Sequence, residues 1–178
     1  MDVARLLVQV DANTAQAEAG LARTSAALGK FTLVGGVAVL AAAAIGYLCK
    51  HNATLSGAEG GCQAEIGVAS AMGAALIAQA HDFGYQVVAN AAESSLEHHL
   101  GMTCDPVAGF VQIPCIERCA FGAVKAWTGF MIASNEIPAN RRVDFDTTVD
   151  AMALTAKEMN SKYKETSEGG LAVSLVLC

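Results

Sequence analysis

The chain reads as an all-α domain, and three observations carry that expectation. Its 178 residues are 53% hydrophobic and only 16% charged, with many Ala and Gly, a composition suited to closely packed helices. Apolar positions recur at helical spacing, as in Val87, Val88, Ala91, Ala92, Leu96 and Leu100. No alternating strand pattern of useful length, internal repeat or low-complexity linker interrupts them. The length suits one domain that buries its core without covalent staples.

Taken in order, residues 1–30 read as an N-terminal helical extension, with Leu6, Leu7 and Val10 on an amphipathic face and no visible chemistry. Residues 31–49 form an uncharged apolar run between Lys30 and Lys50, long enough to span a bilayer. Its Ala and Gly carry little transfer energy, so a helix buried on all sides of a soluble core explains it as well. Ser56-Gly-Ala-Glu59 has capping-box spacing and starts a helix to about Ala80. Asp82 caps the next, which Gly101 ends. Asp105-Pro106 reads as an N-cap and first-turn pair, and Pro114 opens a helix to about Ala133. Residues 134–142, with Pro138 and Asn140, read as a loop. Asp144 or Asp146 caps a helix to about Lys162. The pair Gly169-Gly170 breaks the pattern before an apolar tail, 171–178. Met72, Met102, Met131, Met152 and Met159 read as gap-filling core.

A net charge of -6 and a pI near 5.1 leave no basic stripe to neutralise phosphates, so a nucleic-acid partner is excluded and a small molecule expected. Six cysteines in an Ala-rich helical chain without a cleavable signal point to a reducing cytoplasm rather than a disulfide scaffold.

Three of those cysteines stand in polar text marked by Gly or Pro: Gly61-Cys62-Gln-Ala-Glu65, Thr103-Cys104-Asp-Pro106 and Gln112-Ile-Pro-Cys115-Ile-Glu-Arg118. Each reads as a helix start, where free N–H groups and the helix dipole favour thiolate and other anions. Three converging thiolates can hold an iron–sulfur cluster with one iron open to substrate. The competing readings are buried core thiols, since free Cys is among the most buried residue types, and a zinc site. Intervals of 42 and 11 residues lack the short paired knuckle of structural zinc. Cys119, one turn after Cys115, and Cys49 read as small core residues, although Cys119 can face a metal beside Cys115. His98 offers a proton relay or a helix-end charge. Arg118, Lys162 and Lys164 can pair with a substrate carboxylate, and Lys162 reads better as solvated surface.

These blocks resemble the iron–sulfur-dependent L-serine dehydratases, specifically the catalytic α chain or C-terminal domain. The matching text includes Lys50-His-Asn-Ala-Thr-Leu-Ser-Gly-Ala-Glu59, Asn90-Ala-Ala-Glu93, Thr103-Cys104-Asp-Pro-Val-Ala-Gly109, Val111-Gln-Ile-Pro-Cys115-Ile-Glu-Arg118 and Lys162-Tyr-Lys-Glu-Thr-Ser167. In the family's order they run over residues 31–178, leaving 1–30 without a counterpart.

The resemblance implies a helical catalytic domain whose apolar run is a buried central helix, not a membrane span. It implies that Cys62, Cys104 and Cys115 ligate a [4Fe–4S] cluster, that L-serine is converted to pyruvate and ammonia, and that no pyridoxal phosphate takes part. It also implies a C-terminal tail directed to the cluster, with Cys178 or its carboxylate on the open iron until substrate displaces it. His98 is the catalytic candidate, and Arg118 and Lys164 are the substrate-binding ones. The family's Thr-Asn-Gly-Ala segment, which contributes to the substrate pocket, has no counterpart in residues 1–29; the resemblance also implies a partner β chain or regulatory domain, which can supply the base, and an oligomer is expected. His99 and Cys119 stand where the family usually has Asn. The alternatives are an inactive truncated paralogue or fragment, a lyase acting on L-cysteine or L-threonine, and a small membrane protein.

Overall fold

Small side chains set how closely the helices of this chain approach. A computed structural model describes residues 35–110 and 112–174. The expected extension 1–30 and Cys178 lie outside them. All described residues but Gly35 and Gly36 fall in one unit, Val37–Cys178. The helices are α1 (35–52), α2 (Gly57–Gly60), α3 (Val68–Ala80), α4 (Tyr85–Glu97), α5 (Ile113–Asn135), α6 (Phe145–Glu158) and α7 (Leu171–Ser174). A π-turn, Gln63–Gly67, leads into α3, and 3-10 turns occupy Pro138–Asn140 and Ser161–Tyr163. Among the described residues there is no strand, only an isolated bridge between Val107 and Phe110. The fold is all-α, as expected.

Helices α3, α4 and α5 pack against one another. Ala71, Ala74, Ala75 and Ala78 of α3 are fully buried, and their spacing of three and four puts them along the facing sides. Gly129 marks the closest crossing, since a Cβ there would meet Ser95 Oγ at 2.2 Å and the Ala91 carbonyl at 2.9 Å. Leu96, Val149 and Met152 fill the space between layers, each burial of this kind contributing about 1.5–3 kcal/mol. Arg141 pairs with buried Glu93 and, at 2.7 Å, with Glu136, which fastens the loop before α6 onto α4. Burial of Glu93 outweighs that arginine and raises its pKa.

Several local expectations are corrected. Helix α1 is not buried on all sides; it buries one stripe, Ala38, Ala42, Ile45 and Cys49, while Val37, Val39, Leu40, Tyr47 and Leu48 face outward. No helix among the described residues is long and apolar enough to cross a membrane. Asp82 does not cap α4; it sits in a left-handed turn at φ 61°, and Gly84 is the N-cap. Ser56 precedes α2 without a side-chain cap bond, because Glu59 takes the Thr54 hydroxyl instead. The helix after Asp144 stops at Glu158, where Met159 turns extended. Met131 is exposed, as are Ile113, Ile116, Val124 and Trp127 of α5. Pro114 in the first turn of α5 and Cys49 in the core are as read, and burial pushes the Cys49 thiol up to about 12.

Two outcomes follow from this packing. Alanine is favoured over glycine in helices by about 1 kcal/mol, yet Gly129→Ala should destabilise the chain by about 1–3 kcal/mol in urea unfolding, because the Ala91 backbone cannot yield. Asp144 accepts the Thr147 N–H at 2.8 Å, and hydrogen bonds from Thr147 hold its carboxyl below the usual range. A folded pKa below the unfolded value stabilises the fold above the unfolded pKa of about 3.9 and ceases to do so as pH falls through the folded pKa. Asp144→Ala should therefore lower Tm at pH 7, and the gap to wild type should shrink on acidification to pH 3.

Candidate functional site

The site is carried by irregular backbone between helices and by the first turns of α5. Cys62 follows Gly61, whose φ of 72° and close approach to the Met102 carbonyl, 2.8 Å from where a Cβ would stand, admit only glycine. The Gln63 N–H donates to that carbonyl at 3.2 Å, and the Gly101 N–H donates to Gln63 Oε1 at 3.0 Å. Cys104 lies in the extended stretch beyond, its N–H donating to the Tyr163 carbonyl at 2.8 Å. Cys115 occupies the first turn of α5, behind Pro114. All three cysteines are buried. Cys62 and Cys104 lie close enough for each thiol to shift the other's ionisation, and Cys115 close enough to feel the charge of Cys62.

Arg118, one turn beyond Cys115, binds this group from α5. Its Nη1 donates to the Thr103 carbonyl at 2.7 Å and to Cys62 Sγ at 3.6 Å, and its Nη2 pairs with Asp105 Oδ2 at 2.5 Å. Asp105, only 2% exposed, also takes the Thr103 hydroxyl at 3.3 Å and, through Oδ1, the Leu171 N–H at 2.9 Å. The neighbouring Cys104 and then Arg118 bring the Cys62 thiol down to about 7 against the cost of burial. Cys62 in turn, with burial, pushes Cys104 up, and burial raises Cys115. One thiolate at Cys62 with two protonated neighbours is the arrangement these shifts favour.

Gly170 is a further constraint. At φ 59° it passes so near Asp105 that a Cβ would fall 1.8 Å from Oδ1. Glu65 and Glu165 both approach Gly57, and burial followed by the charge of Glu165 raises the Glu65 pKa.

The remaining sequence candidates fall at different distances from this centre. Lys164 is half-buried just after the turn that takes the Cys104 N–H. Lys162 is exposed and lies over the Tyr163 ring at 4.8 Å. His98 is exposed at the end of α4, in a cavity of about 170 Å³ with Ser94, Lys125 and Thr128 and none of the three cysteines. Cys119 is exposed rather than core, because α5 turns that side to a groove of about 390 Å³ lined by Ile66, Ile77 and Ala126. Asp105 starts no helix; its carboxylate serves Arg118 and Leu171. Gln63, Asp105 and the Glu65–Glu165 pair were not singled out from sequence, although Asp105 adjoins Cys104 and Arg118 stands three residues after Cys115.

The family model of the serine dehydratase alpha chain matches residues 36–172. The chain belongs to the serine dehydratase alpha chain family. It is 54% identical over 137 residues to an L-serine dehydratase of Helicobacter pylori, covering 77% of this chain and 30% of that protein. The same figures hold for L-serine dehydratase TdcG of Escherichia coli. An L-serine dehydratase of Streptomyces coelicolor is 49% identical over 140 residues, 79% of this chain and 30% of its own length. The chain thus spans about a third of these curated relatives.

The three buried cysteines of this family member offer an all-sulfur donor set, the chemistry that an iron–sulfur cluster takes. Among the described residues no group of three His, Cys, Asp or Glu side chains is gathered tightly enough for one metal ion. A cluster takes its thiolates on separate irons and needs no such convergence on one point. The donor set is all sulfur, and a buried Gln63 Nε2 without a partner adjoins it. Breaking a buried pair leaves an uncompensated charge, so Asp105→Ala should cost about 3 kcal/mol in denaturant unfolding. Asp105→Asn, which keeps an acceptor for the Leu171 N–H, should cost less.

Proposed function

We propose that this chain is the catalytic chain of an L-serine dehydratase, a carbon–nitrogen lyase converting L-serine to pyruvate and ammonia. It holds a [4Fe–4S] cluster through Cys62, Cys104 and Cys115 and uses no pyridoxal phosphate. The observation that carries this reading is the gathering of three distant cysteines beside Arg118 in a member of the alpha chain family. When bound, such a cluster supplies a Lewis acid for the hydroxyl that leaves the substrate.

The protein's own groups do the rest. Cys104 and then Arg118 lower the Cys62 thiol to about 7, which raises its thiolate fraction at neutral pH and favours ligation. Asp105 orients Arg118, leaving Lys164 as the better-placed cation for a substrate carboxylate. His98 is the sequence's candidate for proton transfer, acting from the end of α4. The Leu171 N–H on Asp105 anchors the last described helix beside the site, which supports Cys178, seven residues on, as the ligand that substrate displaces. A β chain or regulatory domain completes the enzyme, in an oligomer in the cytoplasm. The 30% coverage of the relatives and the exposed apolar side of α5 support that partner.

Anaerobic reconstitution with iron and sulfide should give a brown protein, and Cys62→Ser, Cys104→Ser and Cys115→Ser should each lose the visible absorption while Cys119→Ser keeps it. A pyruvate assay with L-serine, L-threonine and L-cysteine, with and without a candidate β chain, then reads substrate and partner. Wild type that stays colourless in every condition contradicts the reading and favours a degenerate copy.

A further inference from the structure

Gln63 lies between the segments that bear two of the cysteines. It is fully buried, follows Cys62 directly, and grips consecutive residues of the 101–104 segment from both of its ends. Its N–H donates to the Met102 carbonyl at 3.2 Å, and its Oε1 accepts the Gly101 N–H at 3.0 Å. Gly101 presents that N–H from a left-handed turn at φ 78°. Because Gly101 supplies a donor, the amide orientation is fixed with oxygen towards it. Nε2 is then left as a buried donor without a partner among the described residues.

His99, two residues before Gly101, stands in the mirror situation. Its Nδ1 faces the Ser95 carbonyl at 2.6 Å and must donate, so the buried Nε2 carries a lone pair without a partner. Burial keeps the ring neutral. Native interiors rarely leave such atoms unpaired, and each instance calls for a reason.

We propose that Gln63 is a positioning residue whose two bonds set the separation of the Cys62 and Cys104 sulfurs for the cofactor. The proposal rests on the cluster reading for its consequence. Partners that orient ligands typically change metal affinity about 10–100-fold when removed.

The test uses the full chain, loaded anaerobically, with Gln63→Met, which fills the space without an acceptor, and Gln63→Glu, which restores one. Bleaching of the visible absorption by a chelator should be about tenfold or more faster in Gln63→Met and slower again in Gln63→Glu. Bleaching of Gln63→Met at the wild-type rate, even with a lowered Tm, would reduce Gln63 to a structural role and overturn the proposal. Hydrogen exchange of the iron-free wild type supplies an independent arm: a protected Gly101 amide is expected, and an unprotected one overturns the clasp even where Gln63→Met does not fold. Wild type that binds no iron overturns the cluster reading instead, and the Gly101 amide still decides whether the clasp exists.

Discussion

A guanidinium held between a buried carboxylate and a cysteine sulfur organises this chain. Asp105 is almost wholly withdrawn from water and cannot remain charged there without a partner. Arg118 supplies one, and its remaining donors reach the Thr103 carbonyl and Cys62. Near a protein surface two unit charges 4 Å apart gain about 4 kcal/mol, while withdrawing them from water costs several kcal/mol per ion. The pair therefore adds little net stability. Its effect is positional: once Arg118 is committed to Asp105, the first turn of α5 and Cys115 with it are held against the segment bearing Cys104, and Leu171 is held at the entrance to the tail.

The helical scaffold and the site divide the labour. Alanine faces on α3 and the glycine at the crossing of α4 and α5 give a close-packed support that leaves little room for adjustment. Cys62, at the entry to the π-turn, and Cys104 and Asp105, in the 102–106 segment, stand on irregular backbone, while Cys115 and Arg118 project from the first turns of α5. Hydrogen bonds between these segments, at Gln63, Gly101, Cys104 and Tyr163, substitute for the ladder that regular structure would provide.

What could be read from the residues alone was local. Pro114 and Asp144 mark their helices because cap chemistry depends on a few neighbouring atoms. The course of α4 follows from its apolar period. The outward side of α1 was not legible, because an Ala- and Gly-rich run has little contrast between its faces and average hydropathy says nothing about direction. Asp105 before Pro106 is a strong helix-start signal, but a tertiary ion pair claims the carboxylate. Cys62, Cys104 and Cys115 could be picked out by their setting. Their approach across intervals of 42 and 11 residues is a property of the packed helices, which spacing cannot express and family resemblance supplied.

Crystals of the anaerobically reconstituted full chain, with diffraction recorded at the iron absorption edge, test the central claim most directly. The account predicts one anomalous centre within bonding distance of the Cys62, Cys104 and Cys115 sulfurs, beside an Arg118 still paired with Asp105. Iron bound elsewhere, or a loaded protein in which any of these three sulfurs points away from the metal, would contradict it.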